Sequence, residues 1–377
     1  MKKICLSLFV VICFSTARAQ YLADSFSFGG VMRQYLLYVP PSYDGSQAVP
    51  FVLALHGLGD NMNNFAGVRF DQVADTANFI FAIPQALVDN QLTGSTAWNS
   101  GAGAFGITLN PGVDDVGFLN ALMDTVSAYY NIDQTRLYST GFSMGGFMTN
   151  RLGCELNNRI AAIASVSGTI GNGISCHPSR VVPACHFHGT ADQTVAYTGN
   201  TYGNDAEALV AYWRAHDQCD TTAIIDSIAH TTNNALRIIH YTYPNGAYAS
   251  DVEFYKVIGG QHQWLGPSGY DINYAVEIWN FFRRYKWEPQ APNAITEVKE
   301  NALHVYPNPS TSTLHVDADG SLSSAKVTLM DAMGRVVYSG DFTGQAMINT
   351  GNFAEGLYMV QVDAGNRHMV NRVAITE

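Results

Sequence analysis

Residues 136–147 read RLYSTGFSMGGF, an apolar run that leads into Gly141-Phe142-Ser143-Met144-Gly145 and then into a helix-like segment. A serine with glycine two positions away on either side suits a sharp strand-to-helix turn, in which a strained backbone at the serine leaves no room for neighbouring side chains. Ser143 would stand clear of the strand ends, where a covalent nucleophile belongs. A Gly-rich turn without chemistry also fits five residues alone, but the strand before and the helix after favour the nucleophile. A serine hydroxyl attacks poorly until a positioned base takes its proton, so a histidine and an orienting carboxylate must come from elsewhere in the chain.

After Ser143, Asp192 is the best-placed carboxylate, because His188-Gly189-Thr190-Ala191-Asp192 directly follows an apolar strand ending at Phe187. A turn-capping aspartate is the alternative, and Asp205 and Asp217 are weaker candidates. His262 is the best-placed base, in the loop GGQHQW at 259–264 just past the strand-like 254–258. His216 lies in a helix-like stretch, His230 and His240 in poorly patterned sequence, and His186 and His188 read as structural. Acyl transfer also needs backbone donors for an oxyanion. Met144 N–H follows the nucleophile, and Leu58 N–H lies in His56-Gly57-Leu58-Gly59 after the buried run 49–55. His56 precedes Ser143 and reads as the residue that holds this loop. Trp98 and Trp264 flank these elements in loops and could wall a cleft for an aromatic or sugar-like group, with ordinary loop packing an equal alternative.

Something must hold these groups at one edge. From Arg33 to Trp287 apolar strand-like runs alternate with amphipathic stretches, the pattern of a mostly parallel sheet covered on both faces. The expected strands are 35–39, 51–55, 79–83, 136–140, 181–187 and 252–257, with helices in the gaps. One helix, 116–130, carries Leu119, Leu122, Met123, Val126 and Tyr130 at helical spacing, with Asp114 or Asp115 as its cap. Residues 288–297, EPQAPNAITE, read as an extended linker. Beyond it lie short alternating segments at 314–316, 326–330, 335–338 and 357–362, broken by turns such as Asp319-Gly320 and Met333-Gly334, which predict a small all-β sandwich.

The chain has 377 residues, 47% hydrophobic and 14% charged, with a formal charge of −11. That is a globular composition, and the acidic balance argues against a nucleic-acid partner. Lys2 and Lys3, an apolar run from Ile4 to Phe14 and then Ala17-Arg18-Ala19 form a signal-peptide pattern, too short to span a bilayer. No later segment is long enough to span one. Cys5 and Cys13 leave with that signal, so Cys154, Cys176, Cys185 and Cys219 remain. Export and an even count favour disulfides; four cysteines allow three connectivities, which sequence does not decide, and the reading leans to Cys154 with Cys176. A zinc site around His177, His186 and His188 is disfavoured, because paired ligand spacings are missing.

Residues 33–287 resemble the secreted esterases that include polyhydroxybutyrate depolymerases, feruloyl esterases and acetylxylan esterases of carbohydrate esterase family one. The resemblance rests on LHGLGD at 55–60, DDVGFL at 114–119, GFSMGG at 141–146, HGTADQTVAY at 188–197 and GGQHQW at 259–264. It implies an α/β-hydrolase domain with Ser143, Asp192 and His262 as catalytic residues and with no metal or organic cofactor. The tail resembles the C-terminal sorting domain of the type IX secretion system, through VYPNPS at 305–310, DAMGRVVY at 331–338 and EGLYMVQV at 355–362. A carbohydrate-binding sandwich is the rival, but all five tryptophans fall between Trp98 and Trp287 and none in the tail. The expected organisation is a signal peptide at 1–19, an α/β-hydrolase domain at 20–287, a linker at 288–299 and a sorting β-sandwich at 300–377. The expected activity is hydrolysis of esters on a polymer outside the cell, feruloyl or acetyl groups of plant xylan before polyhydroxybutyrate. A serine peptidase and a non-catalytic binding protein rank lower.

Overall fold

A computed structural model of the chain describes residues 20–91, 93–104, 107–288, 303–318, 325–332, 334–364 and 367–376. The signal peptide, nearly all of the linker, the Asp319-Gly320 turn and Met333 lie outside them. The chain divides into two compact units, Met1–Pro289 and Gln290–Glu377.

The first unit opens with β1 (Gln20–Phe28) and β2 (Val31–Val39), an antiparallel hairpin whose Gly29-Gly30 turn has positive φ at both positions, as a two-residue hairpin loop requires. Next come β3 (Val49–Leu55), α1 (Met62–Phe65), α2 (Phe70–Ala77) and β4 (Ile80–Pro84). A long excursion with the short pair β5 (Gly103–Ala104) and β6 (Ile107–Thr108) precedes α3 (Asp115–Tyr129). Then follow β7 (Ile132–Phe142), α4 (Met144–Glu155), β8 (Ile160–Val166) and β9 (Ala184–Gly189). The unit closes with α5 (Ala206–His216), β10 (Ile224–Ser227), β11 (Arg237–Tyr243), β12 (Val252–Ile258) and α6 (Tyr274–Phe282).

These strands form one ten-stranded sheet in the order β1-β2-β4-β3-β7-β8-β9-β12-β11-β10. The stretch from β4 to β12 is parallel, and the two strands at each end pair antiparallel. β3, β4, β8 and β9 are buried along their whole length, which is why they read as continuous apolar runs instead of alternating ones. One face packs on Phe118, Leu122 and Val126 of α3, Phe147 and Leu152 of α4, and Leu209 and Trp213 of α5. The other packs on Phe70 and Val73 of α2 and on Ile278, Phe281 and Phe282 of α6. No described helix is long and apolar enough to cross a membrane.

Two local departures have physical causes. β8 lies where the sequence reading leaves helix: IAAIASV is a short apolar run rich in alanine, and such runs do not distinguish a buried strand from a helix. β9 starts at Ala184 and not at Val181, because Pro183 has no N–H to give to a ladder and contributes only its carbonyl, to Ile163 N. The two candidate caps of α3 also separate. Asp114 is the cap and accepts from Gly117 N, whereas Asp115 is buried against Arg33 at 2.6 Å and accepts from Asn99 N at 2.7 Å. That pair pins the excursion between β4 and α3 to the sheet.

The second unit contains β13 (Leu303–Tyr306), β14 (Thr313–Ala318), β15 (Ala325–Met330), β16 (Val336–Phe342), β17 (Gln345–Asn349), β18 (Gly356–Ala364) and β19 (Arg367–Ile375). A three-stranded sheet, β13-β14-β17, faces a four-stranded one, β16-β15-β18-β19, across a core of Leu314, Val316, Ile348, Val327, Leu329, Val360 and Val373.

Candidate active site

Ser143 sits between the last residue of β7 and the first of α4 with φ +55° and ψ −121°. A side chain other than glycine rarely holds such a backbone, and it persists only where its surroundings fix it. They do so by close approach. A Cβ on Gly145 would lie 2.0 Å from the Leu55 carbonyl oxygen, so the start of α4 is pressed onto the end of β3. Ser143 N donates to the Val166 carbonyl of β8 at 2.8 Å.

Asp192 follows β9 and His262 follows β12, both at the carboxyl ends of parallel strands next to Ser143. His262 Nε2 lies 2.9 Å from Ser143 Oγ, and His262 Nδ1 lies 2.7 Å from Asp192 Oδ2. Their loops are tied together: Ala191 N donates to the Gly260 carbonyl, Thr190 N to the Val257 carbonyl and Gly259 N to Thr190 Oγ1. The Phe142 ring packs on the imidazole at 4.7 Å between centroids. Asp192 Oδ1 accepts from the amides of Thr194 and Val195, both at 2.9 Å. Burial of Asp192 pushes its carboxyl up, but the hydrogen bonds from His188 and His262 outweigh this and hold it below the usual carboxylate range. The arrangement gives the imidazole one tautomer, Nδ1–H toward the carboxylate and a free Nε2 lone pair toward the hydroxyl.

Met144 follows Ser143 and Leu58 lines the same cleft, and neither amide donates a hydrogen bond to any other described residue. His56 shapes the Leu58 loop from behind: its Nδ1–H donates to the Gly57 carbonyl at 2.8 Å, and its Nε2 accepts from Ala86 N at 3.1 Å. Burial lowers its pKa against the effect of the Gly57 bond, in keeping with a neutral ring. A cleft of about 270 Å³ opens over Ser143 and His262, walled by Leu58, Phe142, Met144, Phe147, Val195 and Tyr202.

The two tryptophans are not cleft walls. Trp98 is wholly buried behind the Leu58 loop, where its Nε1–H donates to the His56 carbonyl at 2.9 Å. Trp264 is half-buried and packs edge-on to Phe65 and Tyr274, each at 5.8 Å, against the core between the sheet and α6. Loop packing uses both, because an indole removes more apolar area from water in the core than at a rim. The wall residues the sequence reading missed lie beside its own motifs: Phe142 and Phe147 border Ser143, and Thr194 and Val195 follow Asp192. Tyr202, in an unpatterned loop, carried no signal.

Cys154 at the end of α4 is disulfide-bonded to Cys176. Cys185 and Cys219 are buried thiols, so the even count yields one bridge and not two.

With this geometry in hand, residues 43–239 match the phospholipase/carboxylesterase family and residues 304–376 match the secretion system C-terminal sorting domain. The chain is thus marked for export by the type IX route. A bifunctional acetylxylan esterase/xylanase of Neocallimastix patriciarum is 27% identical over 259 residues, 68% of this chain and 34% of that protein. Feruloyl esterase B of Piromyces equi is 30% identical over 171 residues, 44% of this chain and 30% of that one. The chain therefore spans about a third of the length of these two relatives. An acetyl xylan esterase from Aspergillus awamori matches in structure with a TM-score of 0.50 at 15% identity, covering 71% of this chain and 99% of the other, a likeness of fold.

Proposed function

The chain belongs to the phospholipase/carboxylesterase family, and on that premise we propose that it is an exported serine esterase acting on carboxylic esters of a polymer. Ser143 is the nucleophile, His262 the general base and acid, and Asp192 the orienting carboxylate. The observation that carries this reading is the unbroken run of hydrogen bonds from Asp192 through His262 to Ser143, opening on a cleft beside two undonated amides.

In the first half-reaction Ser143 Oγ bonds to the ester carbonyl carbon while its proton passes to His262 Nε2. The carbonyl oxygen becomes an oxyanion facing the Leu58 and Met144 amides. Collapse breaks the bond to the alkoxy oxygen, which leaves as an alcohol with the proton from His262. Water then repeats the sequence in reverse on the acyl-enzyme, giving the acid and free Ser143. Asp192 keeps His262 in the required tautomer and stabilises the imidazolium.

The substrates proposed are feruloyl or acetyl esters on plant xylan. The cleft is compatible with them: its aromatic and aliphatic walls suit a flat aryl or short acyl group, and Asp60, Thr194 and Tyr202 add polar groups to its lining. The names of the two relatives point the same way. Polyhydroxybutyrate is the second reading, since the same walls accept an aliphatic hydroxyacyl unit. The tail supports the type IX machinery as the export partner. Release of ferulate and acetate from arabinoxylan, measured beside clearing of a polyester suspension, tests the ranking. Release from xylan without clearing is expected, and clearing without release would reverse the order. p-Nitrophenyl acetate hydrolysis by the chain and by Ser143→Ala tests the mechanism under both readings; the variant should lose several orders of magnitude in kcat.

A further inference from the structure

Behind Asp192 stands a second histidine. His188 of β9 is completely buried, four residues before the carboxylate. Its Nε2 lies 2.8 Å from the Val195 carbonyl oxygen and 3.5 Å from Asp192 Oδ2, and its Nδ1 lies 3.0 Å from His186 Nε2. His186 Nδ1 lies 2.8 Å from Ser165 Oγ of β8. The acceptors order the protons when each ring carries one hydrogen. A carbonyl and a carboxylate only accept, so His188 carries its hydrogen on Nε2. Its Nδ1 is then a lone pair that accepts from His186 Nε2–H, and His186 Nδ1 accepts from the Ser165 hydroxyl. Burial holds the His186 imidazole well below its ordinary range, with the neighbouring His188 acting in the same direction, in keeping with a neutral ring.

We propose that His188 is a positioning residue for the acid: it clamps the turn 192–195 onto β9, and Ser165 and His186 hold its ring from the other side in the orientation that can do so. The inference rests on reading Ser143, His262 and Asp192 as the catalytic residues. The clamp matters because that turn has two tasks. Its Thr194 and Val195 amides occupy Asp192 Oδ1, leaving Oδ2 for His262, and its Thr194 and Val195 side chains line the cleft. The titratable and charged groups around His188 are His186 on its own strand, Asp192, Tyr197 with its ring edge-on at 5.7 Å, and Lys256 of β12 over that ring at 5.2 Å. Glu207 of α5 pairs with Lys256 and accepts from the Tyr197 hydroxyl.

The test uses the full chain with His188→Phe and His188→Gln, assayed on p-nitrophenyl acetate with kcat and KM resolved. Phenylalanine keeps a flat ring, somewhat larger than imidazole, but carries no donor; a glutamine amide can accept from His186 and donate to Val195. His188→Phe should lower kcat on the order of tenfold or more with KM little changed, and His188→Gln should recover most of the loss. Ser165→Ala, which removes only the last donor, should lower kcat by a smaller factor with KM again little changed, and it keeps the question open to measurement if the phenylalanine variant does not fold. Wild-type kcat in His188→Phe, equal losses in both His188 variants, or wild-type kcat in Ser165→Ala would overturn the inference. An unsubstituted chain with no Ser143-dependent turnover would overturn the reading of the site beneath it.

Discussion

Replacing Asp192 by asparagine leaves the volume of the side chain intact and reverses its hydrogen-bond logic. The amide N–H can donate to His262 Nδ1, which moves the imidazole proton to Nε2 and removes the lone pair facing Ser143 2.9 Å away. Asp192→Asn should therefore lower kcat by about 10⁴-fold with KM nearly unchanged, as steady-state kinetics on a p-nitrophenyl ester can check. The same residue gives a pH signature in stability. Its folded pKa is depressed below the ordinary 3.8, so the stability it adds is complete above the unfolded value and fades as the pH falls through the folded one. In thermal melts, any advantage of wild type over Asp192→Asn should hold from neutral pH to about pH 5 and shrink below about pH 4. At this scale the sequence was most readable where chemistry fixes both the residue type and its position at a strand end. Ser143, Asp192 and His262, chosen on that ground, meet within hydrogen-bond distance. Trp98 was not readable, because whether a loop indole faces a cleft or a core depends on the excursion pinned by Asp115, which no local pattern records.

Between elements, the tightest demand is the approach of α4 to β3. A methyl group on Gly145 would sit 2.0 Å from the Leu55 carbonyl oxygen, whereas one on Gly67 would meet nothing within 4 Å. Gly145→Ala should cost on the order of 3 kcal/mol or more, since backbone and not a flexible side chain must yield. Gly67→Ala should be neutral or stabilising by up to about 1 kcal/mol. Comparing the two melting temperatures separates the close approach from any general effect of removing glycine. The parallel sheet itself was legible, because strands buried on both faces become unbroken apolar runs. β8 escaped because alanine-rich IAAIASV carries no period that separates strand from helix. The edge strand β10 escaped for the opposite reason: all four of its residues are exposed, so no alternation marks it.

For the whole molecule, the chain divides into two compact units after Pro289, and the candidate site lies in the first. Ending the chain at Pro289 should leave kcat and KM on a p-nitrophenyl ester within about twofold of the full chain, as expected of a domain with its own core; a large loss would mean that the tail supports the site. Within the first unit, reducing the bond between Cys154 and Cys176, 22 residues apart, should cost about 3 kcal/mol, seen as a lower midpoint in denaturant. The tail was readable as a sandwich from its short alternating strands, but β13, β17 and β19 went unmarked beside the stronger patterns of β15 and β18. The most direct test of the central claim is the mass of the chain after reaction with a fluorophosphonate, followed by peptide mapping. A single adduct on Ser143, formed as ester hydrolysis disappears and absent from Ser143→Ala, is the predicted result. Full hydrolysis in Ser143→Ala, or an inactivating adduct on another residue, would contradict it.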